Sequence, residues 1–374
     1  MKIVSITAVK NESDIIESFV RYHQNIIDEM IILNNGSTDD TNYILDNLIK
    51  EGLPITVLND TDRYFEPRIK YNCLLRKAFN EFNADIVCPL DVDEFITSDS
   101  TNPRHILENM VGLTYYSVKW RTYIPTENDD INIKFVPSRI QYIRDESWDT
   151  FYKVFLPKEL FFEFPVRLST GNHVLVFNDK YKDKVKNIDD SGLILAHFPL
   201  RSKEQTMSKV LVGYPNVRCR KNLQPGQSFH YNLMFKKIKN DEEVTNNDVT
   251  EFAKQYSLES NKNKNEFEIK NINILKKPMN LDFCKNISIK YSFKINPLKN
   301  VLENYLYLAD EINKFKTEID ILNNKIQNVE KIKNNDINVL QDQLFLIKNN
   351  LFDKEKEIFD LQEEIIKFNN YFNK

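Results

Sequence analysis

No apolar run in these 374 residues approaches the roughly 20 that a bilayer-spanning helix needs, so no transmembrane segment is expected. There is no basic excess either. The formal net charge is −4, which leaves no overall field to draw the chain to nucleic acid or anionic lipid. The opening "MKIVSITAVKNES" has too short an apolar stretch, and no cleavage-site pattern, for a signal peptide; it is expected to form a first strand. Cysteine is sparse, and Cys73, Cys88, Cys219 and Cys284 lack zinc-type spacing. They are expected to be reduced thiols of a cytoplasmic protein. What remains, 41% hydrophobic and 28% charged residues, is the composition of a globular chain.

The first hundred residues alternate between two periodicities. "KIVSITAV", "EMIILN", "PITVLN" and "DIVCPL" read as buried strands. Between the first two, Ile15, Ile16, Phe19, Val20, His23, Ile26 and Ile27 recur at helical spacing, with Ser13 as the expected N-cap and His23 as a core residue. "NNGSTDD" offers a turn glycine and a cap at Ser37, and Pro67 suits the first turn of a third helix. Four strands separated by helices predict an α/β fold with a mostly parallel sheet. In such sheets ligands bind beyond the carboxyl ends of the strands. Three polar clusters fall there: Lys10 to Glu12, Asn34 to Ser37, and Asp91 to Glu94. They are expected to converge on one crevice.

The last cluster sits in "CPLDVDEFI", where Asp91, Asp93 and Glu94 crowd together after an apolar strand. Carboxylates this close repel one another unless something positive joins them. Asp91 and Asp93 alternate along an extended segment, so both can face one side. A hard divalent cation, Mn²⁺ or Mg²⁺, suits two carboxylates completed by substrate phosphates. The bland alternative is a solvated acidic turn.

Taken in order, "KNE", "NNGSTDDT", "DVDEF" and "HFPLRSKEQ" resemble the GT-A nucleotide-sugar glycosyltransferases of the family 2-like branch, over residues 1–215. The resemblance implies a Rossmann-like sheet and a cation that bridges the acidic motif to the diphosphate of a UDP-sugar. It implies that Ala8, Lys10 and Glu12 line the nucleotide pocket and that Arg68 approaches the nucleotide. Asn34 stands where the family commonly has Asp, and its side-chain carbonyl can accept the same uracil hydrogen bond. Asp91 and Asp93 match the cation-binding pair, and Glu94 would face the donor sugar or a water. Inversion by a single displacement is implied as well, moving a hexosyl or N-acetylhexosaminyl group to a glycan, a lipid-linked saccharide or a protein side chain.

In "AHFPLRSKEQTMSKV", Ser202 and Gln205 have the form of a capping box, and Arg201, Lys203 and Lys209 gather positive charge at a helix N-terminus. Such a terminus favours an anion. His197 is expected as a third metal ligand, with Arg201, Ser202 and Lys209 on the diphosphate. For the base that deprotonates the acceptor, the resemblance implies an Asp well beyond the acidic motif, which brings Asp189 and Asp190 into range, but their surroundings do not match; Asp149 is preferred, with His173 as its rival. Trp120 and Trp148 are the candidate acceptor platforms.

Residues 216–300, rich in Asn and Lys, carry no recognisable chemistry and are expected to form a mixed or helical subdomain. From Leu308 to Val329, and again from Ile337 to Phe368, apolar residues step by four and three, a heptad seam broken near "KNNDIN". A coiled coil or a helical hairpin over 301–374 is expected, with homo-oligomerisation as its consequence. Rival functions remain open. A haloacid-dehalogenase-like phosphohydrolase also carries Asp-x-Asp after a strand, but normally the first one, and a non-catalytic nucleotide-sugar-binding scaffold would keep the pocket without turnover. A sugar nucleotidyltransferase would need a glycine-rich phosphate loop after the first strand, which is missing.

Overall fold

The computed structural model describes residues 1–60, 67–99, 101–144, 151–218, 229–240, 242–256, 269–271, 275, 279–285, 297–329 and 334–372. The chain opens with β1 (Ile3–Val9), α1 (Ile16–His23), β2 (Glu29–Asn34), α2 (Thr41–Lys50), β3 (Ile55–Asn59), α3 (Pro67–Asn80) and β4 (Ile86–Pro89). β1 lies between β2 and β4 and is parallel to both, and β3 extends the parallel set beyond β2. The two-residue period of the strands explains the layering. Ile3 and Val9 of β1, with Met30 and Ile32 of β2, face a core shared with α1 and α2. Val4, Ile6, Ile31 and Leu33 point the other way, into a core shared with α3. The expected α/β class is therefore met.

Next come β5 (Glu94–Ser98), α4 (Pro103–Leu107), β6 (Thr114–Ile124), α5 (Val136–Arg139), β7 (Tyr142–Arg144) and β8 (Tyr152–Pro157). β8 is antiparallel to β4 and to β6, so it carries the sheet across from the parallel half. After α6 (Lys158–Glu163), the short β9 (Arg167–Leu168) and β10 (Leu175–Val176) pair with each other, and β11 (Lys186–Ile188) joins β6. β12 (Leu193–His197) runs parallel to β6 and antiparallel to β5, which sets His197 opposite Glu94. α7 (Lys203–Arg218), α8 (Phe229–Lys239), α9 (Asn246–Lys254), β13 (Ile269–Asn271), α10 (Pro297–Val329) and α11 (Asn334–Phe372) complete the order.

The chain divides into two compact units. One comprises Met1–Gln205 with Asn246–Lys254 and Lys264–Ile287; the other comprises Thr206–Thr245, Gln255–Asn263 and Ser288–Lys374. These units cut across the boundaries expected at 215 and 300. In the second unit α10 and α11 pack antiparallel, with Gln362 Nε2 donating to the Tyr305 hydroxyl at 2.8 Å and Lys316 pairing with Glu355 at 3.3 Å. Tyr305, Leu308, Ala309, Ile312 and Ile358 form their small apolar core.

Local signals fare unevenly. Pro67 opens α3, where its missing N–H is no loss. Ser13 is not a cap: α1 starts after Ile15, and the Ser13 N–H donates to Asp39 at 3.0 Å. Nor is Ser37, whose hydroxyl accepts from Asn11 N–H at 3.0 Å, four residues before α2 begins. The Ser13 backbone and the Ser37 side chain tie neighbouring loops together instead. His23 is fully buried, its Nδ1 donating to Phe19 O and its Nε2 accepting from Ile96 N–H. Burial pushes that imidazole down to about 3, so it stays neutral. No helix among the described residues is long and apolar enough to cross a membrane. Cys73, Cys88 and Cys284 are free thiols, while Cys219 lies outside the described residues.

Candidate functional site

The three polar clusters meet at the carboxyl ends of β1, β2 and β4. Directly after β1, Asn11 adopts a left-handed conformation (φ 58), which its short amide tolerates. Its Oδ1 accepts from Thr38 N–H at 2.7 Å, and Glu12 N–H donates to Thr41 Oγ1 at 2.9 Å. These bonds clamp the "KNE" turn to the "NNGST" turn. Asn34 is central to the clamp and is 2% exposed. Its Oδ1 accepts from both the N–H and the hydroxyl of Ser37, at 3.1 and 2.7 Å, while its amide donates to Asn42. Asn34 is therefore committed to the turn and not presented to a uracil ring, which corrects the expectation from its position. Ala8 is half-buried, its N–H donating to the Tyr71 hydroxyl at 3.2 Å; Lys10 and Arg68 are exposed.

Arg201 joins the first cluster to the third. Its guanidinium grips Asp14 through two parallel bonds, Nε to Oδ2 at 2.7 Å and Nη2 to Oδ1 at 2.8 Å. Nη2 also reaches Glu12 Oε2 at 2.5 Å, and Nη1 donates to Phe198 O at 3.2 Å while standing 3.9 Å from Asp93 Oδ2. Burial opposes the charge, but the Asp14 and Glu12 carboxylates outweigh it and hold the guanidinium firmly protonated. An arginine whose fork is already filled by carboxylates has no free face for a diphosphate, so the expected grip of Arg201 on phosphate is corrected to a structural tie. Ser202 caps α7, its hydroxyl accepting from Gln205 N–H at 3.1 Å. The Gln205 side chain turns back to Arg201 N–H at 3.0 Å, one residue earlier than a standard capping box. Lys209 belongs to the second unit, its ammonium 5.1 Å from the Tyr256 ring centre.

The acid triplet is split. Asp91 Oδ2 meets the ammonium of Lys153 at 2.6 Å, and its Oδ1 accepts from the Tyr71 hydroxyl at 3.0 Å. Glu94 is fully buried, with Oε2 accepting from Asp91 N–H at 2.9 Å and Oε1 3.5 Å from Lys153. It thus packs beneath the motif and does not face a sugar, contrary to expectation. Burial works to raise the Asp91 carboxyl, yet Lys153 prevails and keeps it below the usual range. For Glu94 the balance reverses: burial, reinforced by Asp91 and Asp93, pushes it well up despite Lys153. Asp93 turns the other way, its Oδ1 3.8 Å from His197 Nε2.

Around Lys153 lies an aromatic wall. Trp120 packs against His197 with ring centres 4.1 Å apart, against His173 at 5.3 Å and against Phe151 at 5.5 Å. His173 follows a 3-10 turn over Thr170–Asn172 in which Gly171 has φ +76. A side chain at Gly171 would place its Cβ 2.5 Å from His173 Nε2, so only glycine leaves the ring its space. His173 Nδ1 lies 2.7 Å from Tyr152 O; it can only donate to that carbonyl, which leaves Nε2 as the lone-pair nitrogen. Burial, helped by Lys153, lowers its pKa below the ordinary 6.5. Asp149 and Trp148 lie outside the described residues.

Among the described residues no three His, Cys, Asp or Glu side chains converge as a metal-binding group, so the set Asp91, Asp93 and His197 is not assembled. Asp91 is the member that drops out, because Lys153 and Tyr71 occupy its oxygens. Asp93 and His197 do fit one ion. With bonds of about 2.1 Å an ion spans up to about 4.2 Å between opposite ligands, and their separation is 3.8 Å. Phosphate oxygens would supply the remaining ligands.

Sequence reasoning missed Asp14, Tyr71 and Lys153. Asp14 follows directly on the "KNES" block, and Lys153 carried a signal of its own. It is the one charged residue within the strand "YKVFLP", in phase with the buried Phe155.

Residues 5–148 match the family model described as Glycosyl transferase family 2, so the resemblance read from the ordered blocks is met for that segment. No curated protein matches the chain. Among solved structures, S. aureus TarS 1–349 is similar at 12% identity over 68% of this chain and 80% of its own, with a TM-score of 0.29. The mannosyltransferase PcManGT from Pyrobaculum calidifontis, in complex with GDP-Man and Mn²⁺, is similar at 17% identity over 67% and 68%, with a TM-score of 0.31. Glucosyl-3-phosphoglycerate synthase from Mycobacterium tuberculosis, with Mn²⁺, UDP and glucosyl-3-phosphoglycerate, shares 21% identity over 32% of this chain and 44% of its own, with a TM-score of 0.23. The chain thus spans less than half the length of that synthase.

Proposed function

We propose, with the match of residues 5–148 to glycosyl transferase family 2 as the premise, that this chain is a metal-dependent glycosyltransferase using a UDP-sugar. The observation that carries the reading is the pair Asp93, beyond the end of β4, and His197, the last residue of β12, 3.8 Å apart. Asp93 and His197 would hold Mn²⁺ or Mg²⁺, which when bound offsets the negative charge gained by the departing diphosphate. Phe151, 41% exposed, offers apolar surface on which a sugar ring can stack, whereas Trp120, expected as an acceptor platform, is 8% exposed and packs behind it. His173 Nε2 takes the proton of the acceptor hydroxyl, and a single displacement inverts the anomeric centre. The acceptor belongs to a glycan, a lipid-linked saccharide or a protein side chain.

The test is UDP release across a panel of UDP-sugars, with and without Mn²⁺. One donor is expected to hydrolyse slowly without acceptor, only with metal, and Asp93→Ala should lower that rate by about 10²-fold or more. Metal-independent release, or full release in Asp93→Ala, overturns the reading. Release of phosphate from phosphomonoesters would favour the phosphohydrolase instead.

Self-association through the C-terminal helices is part of the proposal. Phe345, Phe352 and Phe359 of α11 are seven residues apart and 67, 68 and 48% exposed, an apolar stripe outside the core it shares with α10. Removing residues 305–374 should leave a monomer; a sedimentation mass that falls only by the deleted segment would sink this part.

A further inference from the structure

Lys153 poses a problem that the proposed reaction does not use. Its side chain is 0% exposed, on a strand face it shares with the buried Phe155. A lone ammonium there would carry a desolvation cost that drives it to lose its proton. Three features oppose this: Asp91 Oδ2 at 2.6 Å, Glu94 Oε1 at 3.5 Å, and the indole of Trp120, with its ring centre 5.7 Å from Nζ. Burial alone would lower the ammonium's pKa, but Asp91 and Glu94 raise it, so the charge persists. Lys153 thus stands where a cation attracted by the first and third acids would stand. Tyr71 takes the other oxygen of Asp91, from the opposite element, α3.

We infer that Lys153 is a built-in countercation, a positioning residue that withholds Asp91 and Glu94 from metal and leaves the acid triplet one carboxylate, Asp93, to offer a mobile ion. The consequence for catalysis rests on the glycosyltransferase reading; the geometry does not. An ammonium fixed to the chain cannot dissociate when nucleotide and metal leave. The Asp91 side of the crevice therefore keeps its shape between turnovers, and ion exchange is confined to the Asp93 and His197 side. Without Lys153, the Asp91 carboxylate at the crevice would be left with no fixed positive charge beside it and open to a divalent ion.

The experiment counts Mn²⁺ bound by the full chain, with and without UDP, from the electron paramagnetic resonance signal of free Mn²⁺. Wild type and Asp91→Asn should each bind one ion, with affinities within about threefold, well short of the 10–100-fold that loss of a metal-site partner costs. Lys153→Met should bind a second ion, or bind one about tenfold tighter, and adding Asp91→Asn to it should abolish that gain. The inference is overturned if Asp91→Asn in the wild-type background weakens Mn²⁺ by about tenfold or more. It is equally overturned if folded Lys153→Met binds as wild type does. Should Lys153→Met fail to fold, the Asp91→Asn comparison decides alone. If wild type binds no Mn²⁺ even with UDP, the metal-dependent reading of function fails, whereas an ion gained by Lys153→Met would still uphold the countercation.

Discussion

Arg201→Met will lower the free energy of unfolding by about 3–5 kcal/mol, the cost of stranding buried charge when one partner of an ion cluster is removed. Arg201 is 2% exposed and Asp14 7%, so little water can replace the lost bonds. The side chain links Glu12, Asp14 and Asp93, which come from two turns about 80 residues apart in the chain. Methionine fills similar volume but leaves Asp14 unpaired and Glu12 without its guanidinium. Urea unfolding at an unchanged m-value measures the loss directly. Destabilisation below about 1 kcal/mol, the range of an exposed ion pair, would mean that the cluster is solvated and the tie is weak. Because the pairs are buried, raising the salt concentration should change the difference little.

His173→Ala is expected to cost about 10²- to 10⁴-fold in kcat, the usual contribution of a general base. The pH dependence distinguishes this from a packing defect. A base works in its neutral form, and burial with Lys153 nearby holds the His173 imidazole below 6.5. Wild-type kcat/KM should therefore stay level as pH falls through 6.5 and drop only below the depressed pKa. In His173→Ala that acidic limb should vanish along with most of the rate. A variant that keeps its rate within about threefold moves the role elsewhere, with Asp149 the next residue to replace.

The sequence contained the first four strands and the helices between them because each turns its own side chains into its own local pattern. β1 and β2 alternate between two cores, and α1 carries its apolar stripe at helical spacing. The positions of the polar clusters were equally legible, since a strand that ends in a core leaves its polar residues at the sheet's edge. Caps were read less well. Ser13 and Ser37 suited helix starts by type, but the structure spends both on bonds between loops that are distant in sequence.

From the sequence alone came an α/β chain, the edge at which its chemistry gathers, and a set of acids in need of positive charge. Which acid meets which charge was decided by tertiary structure. The antiparallel insertion of β8 beside β4 brings Lys153 to Asp91 across 62 residues, and the turn after β12 brings Arg201 to Asp14 across 187. Local pattern reports what a residue's own strand or helix needs. Charge pairing depends on strand order and register, and those are properties of the assembled sheet.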